Sequence, residues 1–368
     1  MKGSCWTAMF VCAAIGLVSS VISGCVSPDR RDDFENFFNE DGYEKLLERQ
    51  QASAPEELSA PKKLPEMTEE DHERLGDSHF RRGKLEMAYL EYSKVLKKKP
   101  DNLNVLHKRG MIFLRRGMSE AAMKDFKTIL EKDSSHASAN QGMGQVLFKM
   151  KNYPGAEKHF QQAIKSNPRL WVSYTYLGIM NDYQDRWANA VEQYKAAIAI
   201  KPDEAALYNN LGVSYSLMGQ NEAALEAFRE GLRLDPKDDK MGNNLGMVLC
   251  KMGRHLEAVE AFRYCGDEAQ AFNNLGCFYL QEGDFEQAIR AFERAVQLRP
   301  SYYAQANDNL KKAEMALNAM QSSSGGKVQQ KADTVSAATS AAPKSSIQTQ
   351  ILETPIETAH QGSEKASH

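Results

Sequence analysis

The amino-acid sequence predicts an all-α solenoid of about seven stacked helical hairpins plus a C-terminal capping helix, and three regularities predict it. Glycine recurs at Gly76, Gly110, Gly144, Gly178, Gly212, Gly246 and Gly276, each 34 residues after the last except for a final step of 30. Twelve residues after each stands an alanine (Ala88, Ala122, Ala156, Ala190, Ala224, Ala258, Ala288), and four further on an aromatic (Tyr92, Phe126, Phe160, Tyr194, Phe228, Phe262, Phe292). Proline closes five units, at Pro100, Pro168, Pro202, Pro236 and Pro300. A fixed period of this length marks a repeat architecture, because each unit can bury its apolar face only against its neighbours. Composition agrees: 42% apolar and 9% aromatic residues among 368 are enough to build a core. A net charge of −3, from 46 basic and 49 acidic side chains, argues against a nucleic-acid binder. Six cysteines are too few for a disulfide scaffold.

The elements follow in chain order. Met1 to Cys25 read MKGSCWTAMFVCAAIGLVSSVISGC: Lys2, an apolar stretch from Trp6 to Ile22, small residues, then charge resuming at Asp29. That is the layout of a secretory signal. A stretch of about 17 residues also reaches the lower edge of spanning length, so a retained anchor and ordinary cleavage stay open. Val21-Ile22-Ser23-Gly24-Cys25 resembles the lipobox of bacterial lipoproteins, which implies removal of residues 1–24 and acylation of Cys25. Each acyl methylene buried in a bilayer contributes about 0.8 kcal/mol, so several chains tether durably. Val26 stands where aspartate would signal inner-membrane retention, and the resemblance therefore implies the periplasmic face of the outer membrane. Residues 25–68 are the lipidated N-terminus and a charged spacer, with eleven acidic and six basic residues and four prolines after Cys25. Phe34, Phe37, Phe38, Leu46 and Leu47 fit a short amphipathic helix there, either a docking element or an N-terminal cap.

From residue 69 the glycine, alanine, aromatic and proline positions resemble the tetratricopeptide repeat, which implies a right-handed superhelix of helical hairpins. Seven units are expected at 69–102, 103–136, 137–170, 171–204, 205–238, 239–268 and 269–302, then a capping helix over 303–320. The small residues let the paired helices approach, the aromatic fills the space beyond them, and proline ends the second helix. The second unit departs with Arg109 for leucine and Ser134 for proline. The sixth lacks four residues, about one helical turn, around Tyr264-Cys265-Gly266-Asp267. An altered stacking angle between units six and seven is expected from that deletion. Residues 321–368, rich in Ser, Ala, Thr and Gln with no aromatic, are expected to be disordered.

Chemistry is sparse. His72-Glu73 lacks a second histidine four residues after His72, and His72 and His79 are expected on the surface. Gly142-Met143-Gly144 has neither the strand nor the third glycine of a nucleotide fingerprint. With no catalytic constellation, the expectation is a protein that is not an enzyme and holds no metal or cofactor. Cys265 occupies a small-residue packing position and is expected to be buried and inert. Cys250 and Cys277 fall on first helices of adjacent units, free or joined by a disulfide.

The positive signal lies on the first helices, which in this family line the concave groove. Asn209-Asn210, Asn243-Asn244 and Asn273-Asn274 precede the Leu-Gly pair in units five to seven. A carboxamide both donates and accepts, so a ladder of them can hold an extended peptide backbone without reading its side chains. The pattern resembles the asparagine ladder of the O-linked N-acetylglucosamine transferase family, whose catalysis lies in a domain absent here, with Asn210, Asn244 and Asn274 the closest match. The asparagines are equally explained as ordinary consensus residues. Phe80, Met111, Leu114, Phe148 and Ile179 stand at groove positions, as apolar pockets or as filling of the inner curve. A lipobox with six or seven repeats resembles the small lipoproteins of tight-adherence (Flp) and type IV pilus machines, which assist outer-membrane secretins. The expected function is a lipid-anchored scaffold gripping a protein or extended peptide, a secretin or another pilus or secretion component among the candidates. The alternative is a general envelope adaptor or chaperone-like peptide binder. Its partners include the membrane, through the anchor, and no nucleic acid.

Overall fold

A computed structural model describes residues 67–299 and 304–325. The signal segment, Cys25, the rest of the spacer, Pro300, Tyr302 and the tail beyond 325 lie outside the described residues. The chain divides into two compact units, the first ending at Lys98 and the second beginning at Lys99. All regular structure among the described residues is helical, as expected.

The first unit contains α1 (Glu69–Arg81) and α2 (Leu85–Lys98). Thr68 and Asp71 form a reciprocal capping box that satisfies two orphan amides at the start of α1. Tyr92 of α2 lies over Gly76 of α1, with no room for a Cβ there. The expectation of surface histidines fails in this pair. His72 and His79 are half-buried, because α2 packs across them: His72 Nδ1 lies 2.6 Å from Glu91 Oε2, and Lys94 Nζ donates to the other oxygen at 2.8 Å.

The second unit continues with α3 (Leu103–Arg115), α4 (Ser119–Lys132), α5 (Ala137–Lys149), α6 (Tyr153–Ser166), α7 (Trp171–Tyr183), α8 (Trp187–Ile200), α9 (Ala205–Leu217) and α10 (Asn221–Leu234). It closes with α11 (Asp239–Lys251), α12 (His255–Tyr264), α13 (Glu268–Glu282), α14 (Phe285–Leu298) and α15 (Ala304–Gly325). Side chains of Asn102, Asn152, Asp238, Asp267 and Asp284 cap helix starts by accepting a backbone amide, as short polar residues do at that position. Consecutive helices pack in pairs, each first helix against its own second helix and then against the next pair. That is a tetratricopeptide solenoid.

The repeat residues explain the pairing. Phe126, Phe160, Tyr194, Phe228, Phe262 and Phe292 are all fully buried, each pressed on the glycine of its own first helix. Phe126 is also wedged against Gly142 of the following pair, so one ring fastens three helices. Where the second repeat has Arg109 for leucine, the guanidinium forms two bonds with Asp125 of α4, at 2.8 and 2.7 Å. The deletion in the sixth repeat shortens its second helix: α12 has 10 residues where α10 and α14 have 14. The last helix, α15, covers the end of the stack, with Ala313 packed on Ala288 and Phe292.

Candidate protein-binding site

The first helices α3, α5, α7, α9, α11 and α13, with α15 after them, carry a polar bond across every junction of the second unit. Lys149 Nζ donates to the Leu114 carbonyl at 3.1 Å, capping the open end of α3. Ser173 donates to Gln141 at 3.2 Å, and Ser214 to Asp182 at 2.8 Å. The carboxamides then take over. Asn244 Nδ2 donates to Asn209 Oδ1, Asn274 to Asn243, and Asn309 to Asn273, each at 3.0 Å.

Five of the six asparagines chosen from the sequence are therefore paired along the first helices, by bonds to one another or to Asn309 of α15. Asn210 is buried and its side chain bonds to no described residue. Asn209, Asn244 and Asn273 are also buried, whereas Asn243 and Asn274 keep partial exposure. Asn309 escaped the sequence reading: it stands 36 residues after Asn273, two beyond the 34-residue period. The apolar candidates divide. Leu114 and Ile179 are buried, Ile179 in the main core cluster with Leu211 and Val213. Met111 and Phe148 remain partly exposed, as does Phe80 in the first unit. On α5 and α15 the buried acceptors Gln145 Oε1 and Asn309 Oδ1 have no hydrogen-bond partner among the described residues.

Asp182 is strongly altered by its surroundings. Burial pushes its carboxyl up to about 7, opposed by the hydroxyl bonds from Tyr194 and Ser214. Burial also raises Cys250 and Cys277 to about 12 and Cys265 to about 11, so none is a thiolate at neutral pH. All three thiols are free. Cys265 is half-buried, its sulfur seated against Gly242. Among the described residues no three metal-ligating side chains gather, and no helix is long and apolar enough to cross a membrane.

Paired helices locked by glycine–aromatic contacts, with polar groups running along the first helices, define a protein-interaction scaffold of tetratricopeptide type. Residues 43–272, more than half of the chain, match the family model of the cilia and flagella-associated protein 70 C-terminal domain, and residues 269–302 match that of the tetratricopeptide repeat. The chain belongs to the tetratricopeptide-repeat family that the first model describes. Among solved structures, the C-terminal part of a repeat-containing protein from Cytophaga hutchinsonii shares the fold, at 18% identity over 64% of this chain and 98% of that one, with a TM-score of 0.50. MamA is 27% identical over 47% of this chain and 94% of its own, with a TM-score of 0.38. PilF of Pseudomonas aeruginosa is 19% identical over 58% and 96%, with a TM-score of 0.45. No curated protein matches the chain.

Proposed function

We propose that this protein is a lipid-anchored scaffold of the bacterial envelope that holds an extended segment of another polypeptide along its first helices. The observation that carries the reading is the asparagine column. Of the interlocked carboxamides, Asn243 and Asn274 keep partial exposure; one spends a lone pair and the other a hydrogen on their shared bond, and both keep a further donor and acceptor for a peptide backbone. Mutual bonding also fixes the carboxamides in place, which lowers the entropy lost on binding. Supports for the anchor are the signal layout and the lipobox resemblance ending at Cys25. The same resemblance favours a role in assembling or localising a pilus or secretion complex at the outer membrane.

Replacing Asn210, Asn244 and Asn274 together with alanine is expected to weaken capture of the partner about tenfold or more, roughly 1.4 kcal/mol, while circular dichroism stays helical. Unchanged affinity removes the ladder from the mechanism. For the anchor, Cys25→Ser should release the mature protein from the membrane fraction. For the pilus role, a deletion strain should lack surface pili and accumulate secretin monomers. Normal secretin multimers together with altered cell shape would favour the general envelope adaptor instead.

A further inference from the structure

Two turns of the second unit depart from their equivalents in the other repeats. After the first helix, five repeats place glycine in left-handed backbone: Gly83, Gly117, Gly219, Gly253 and Gly283, with φ from 69° to 81°. At the same place the third repeat has Lys151 (φ 61°) and the fourth Asp185 (φ 56°). A Cβ in this region collides with its own backbone, so glycine makes the turn with less strain. Strain of this kind gathers at functional sites, where the side chain does something the turn does not need.

Beside these turns three aromatic rings meet. Phe148 ends α5, Tyr153 begins α6 and Tyr183 ends α7, with centroids 5.5 Å (Phe148–Tyr153), 6.1 Å (Phe148–Tyr183) and 5.8 Å (Tyr153–Tyr183) apart. Tyr176 braces Phe148 edge-on at 5.1 Å. The three rings are partly exposed, and neither the Tyr153 nor the Tyr183 hydroxyl is hydrogen-bonded to a described residue. Lys151 is exposed and forms no ion pair among the described residues.

We propose that the Phe148–Tyr153–Tyr183 platform and Lys151 form a second contact surface, for an extended polypeptide segment that carries an aromatic side chain next to a carboxylate. The ring packs offset or edge-on against Tyr153 and Tyr183, the geometry aromatic quadrupoles prefer. The carboxylate pairs with the exposed Lys151 ammonium. One exposed ammonium beside a cluster of rings complements a carboxylate flanked by an aromatic side chain better than a row of phosphates, which sets a peptide above a nucleic acid or an anionic bilayer. This inference rests on the reading of the chain as a polypeptide-binding scaffold, but it uses a different set of residues from the asparagine column.

The test measures fluorescence anisotropy of a fluorescein-labelled peptide GSDFDSG on the full chain, beside GSKFKSG and GSDADSG. Lys151→Gly separates strain from function, because it removes the charge and relaxes the turn. Its melting temperature should rise by about 2–4 °C, while affinity for GSDFDSG falls about tenfold. Tyr153→Phe should bind as the parent does, and Tyr153→Ala should lose binding with helicity intact. Both control peptides should bind more weakly. Equal affinity of Lys151→Gly, or equal binding of GSKFKSG, overturns the proposal, as does stronger binding of oligouridine or phosphatidylglycerol vesicles. The asparagine triple variant should still bind GSDFDSG. If it loses partner capture while Lys151→Gly has no effect, the groove reading stands and this one falls.

Discussion

At Gly212 the packing leaves no room for a methyl group: a Cβ would stand 2.7 Å from the Phe228 ring. Gly212→Ala gains about 1 kcal/mol of helix propensity but forces a fully buried ring to move, at about 1–3 kcal/mol. Thermal denaturation should show net destabilisation, and an unchanged or higher melting temperature would contradict the packing account. The same position explains a pairing that the repeat pattern conceals. Five repeats have phenylalanine over the glycine, and the two with tyrosine each supply a carboxylate for its hydroxyl: Tyr92 donates to Asp77 at 2.7 Å and Tyr194 to Asp182 at 2.8 Å. Asp182 sits deep enough for burial to raise its carboxyl to about 7. The folded chain therefore binds a proton more tightly there than the unfolded chain does. That contribution to stability is fully present below about pH 4 and is lost as pH rises through about 7. Asp182→Asn should flatten this part of the stability profile, so denaturant titrations of variant and parent should diverge increasingly from pH 4 to pH 8. A constant difference would mean that the carboxyl titrates normally.

At the scale of elements, α3 and α4 differ from their counterparts by exchanging an apolar contact for an ion pair. Arg109 reads in the sequence as a weak match to the repeat, and its partner Asp125 looks like one more surface acid on an amphipathic helix. In the folded chain Asp125 is buried and binds Arg109 through two bonds, while Phe113 lies 5.8 Å from the guanidinium carbon. Asp125→Ala should cost about 3 kcal/mol, because the partly buried guanidinium loses both bonds to its carboxylate. Adding Arg109→Leu should recover most of that loss, since it restores the residue the other repeats favour. A double variant no more stable than Asp125→Ala would refute the pairing. In α12 the missing turn was legible as a count of residues, because a deletion of four changes length and keeps the helical face. That α15 would continue the asparagine column through Asn309 was not legible, since no leucine-glycine pair marks the position.

For the whole molecule, near-neutral net charge conceals a segregation. Residues 99–170 carry thirteen basic and six acidic side chains, whereas residues 171–302 carry thirteen basic and nineteen acidic. A sum over the repeats hides both fields. The asparagine variant is best understood at this scale as well. Its substitutions remove the Asn244–Asn209 and Asn274–Asn243 bonds, about 1 kcal/mol each. Repeat arrays distribute stability among intrinsic and neighbour terms, so this loss lowers the melting temperature without unfolding the stack at 25 °C. Partner capture should therefore fall in a chain that remains fully helical.

The sequence alone determined the period and the helical class, because each repeat writes the same local packing rule and repetition amplifies it; that each aromatic ring presses on the glycine of its own first helix came from the structure. The sequence also placed six asparagines on the first helices, since helical spacing sets which residues share a face. Only the tertiary structure decided what those side chains touch. The bonds of the column join residues 31 to 36 apart, and a shift of one residue between stacked helices would turn each carboxamide to another neighbour. Burial likewise emerges from stacking: the Asp182 carboxyl becomes unusual only when Tyr194 of its own repeat and Ser214 of the next close over it.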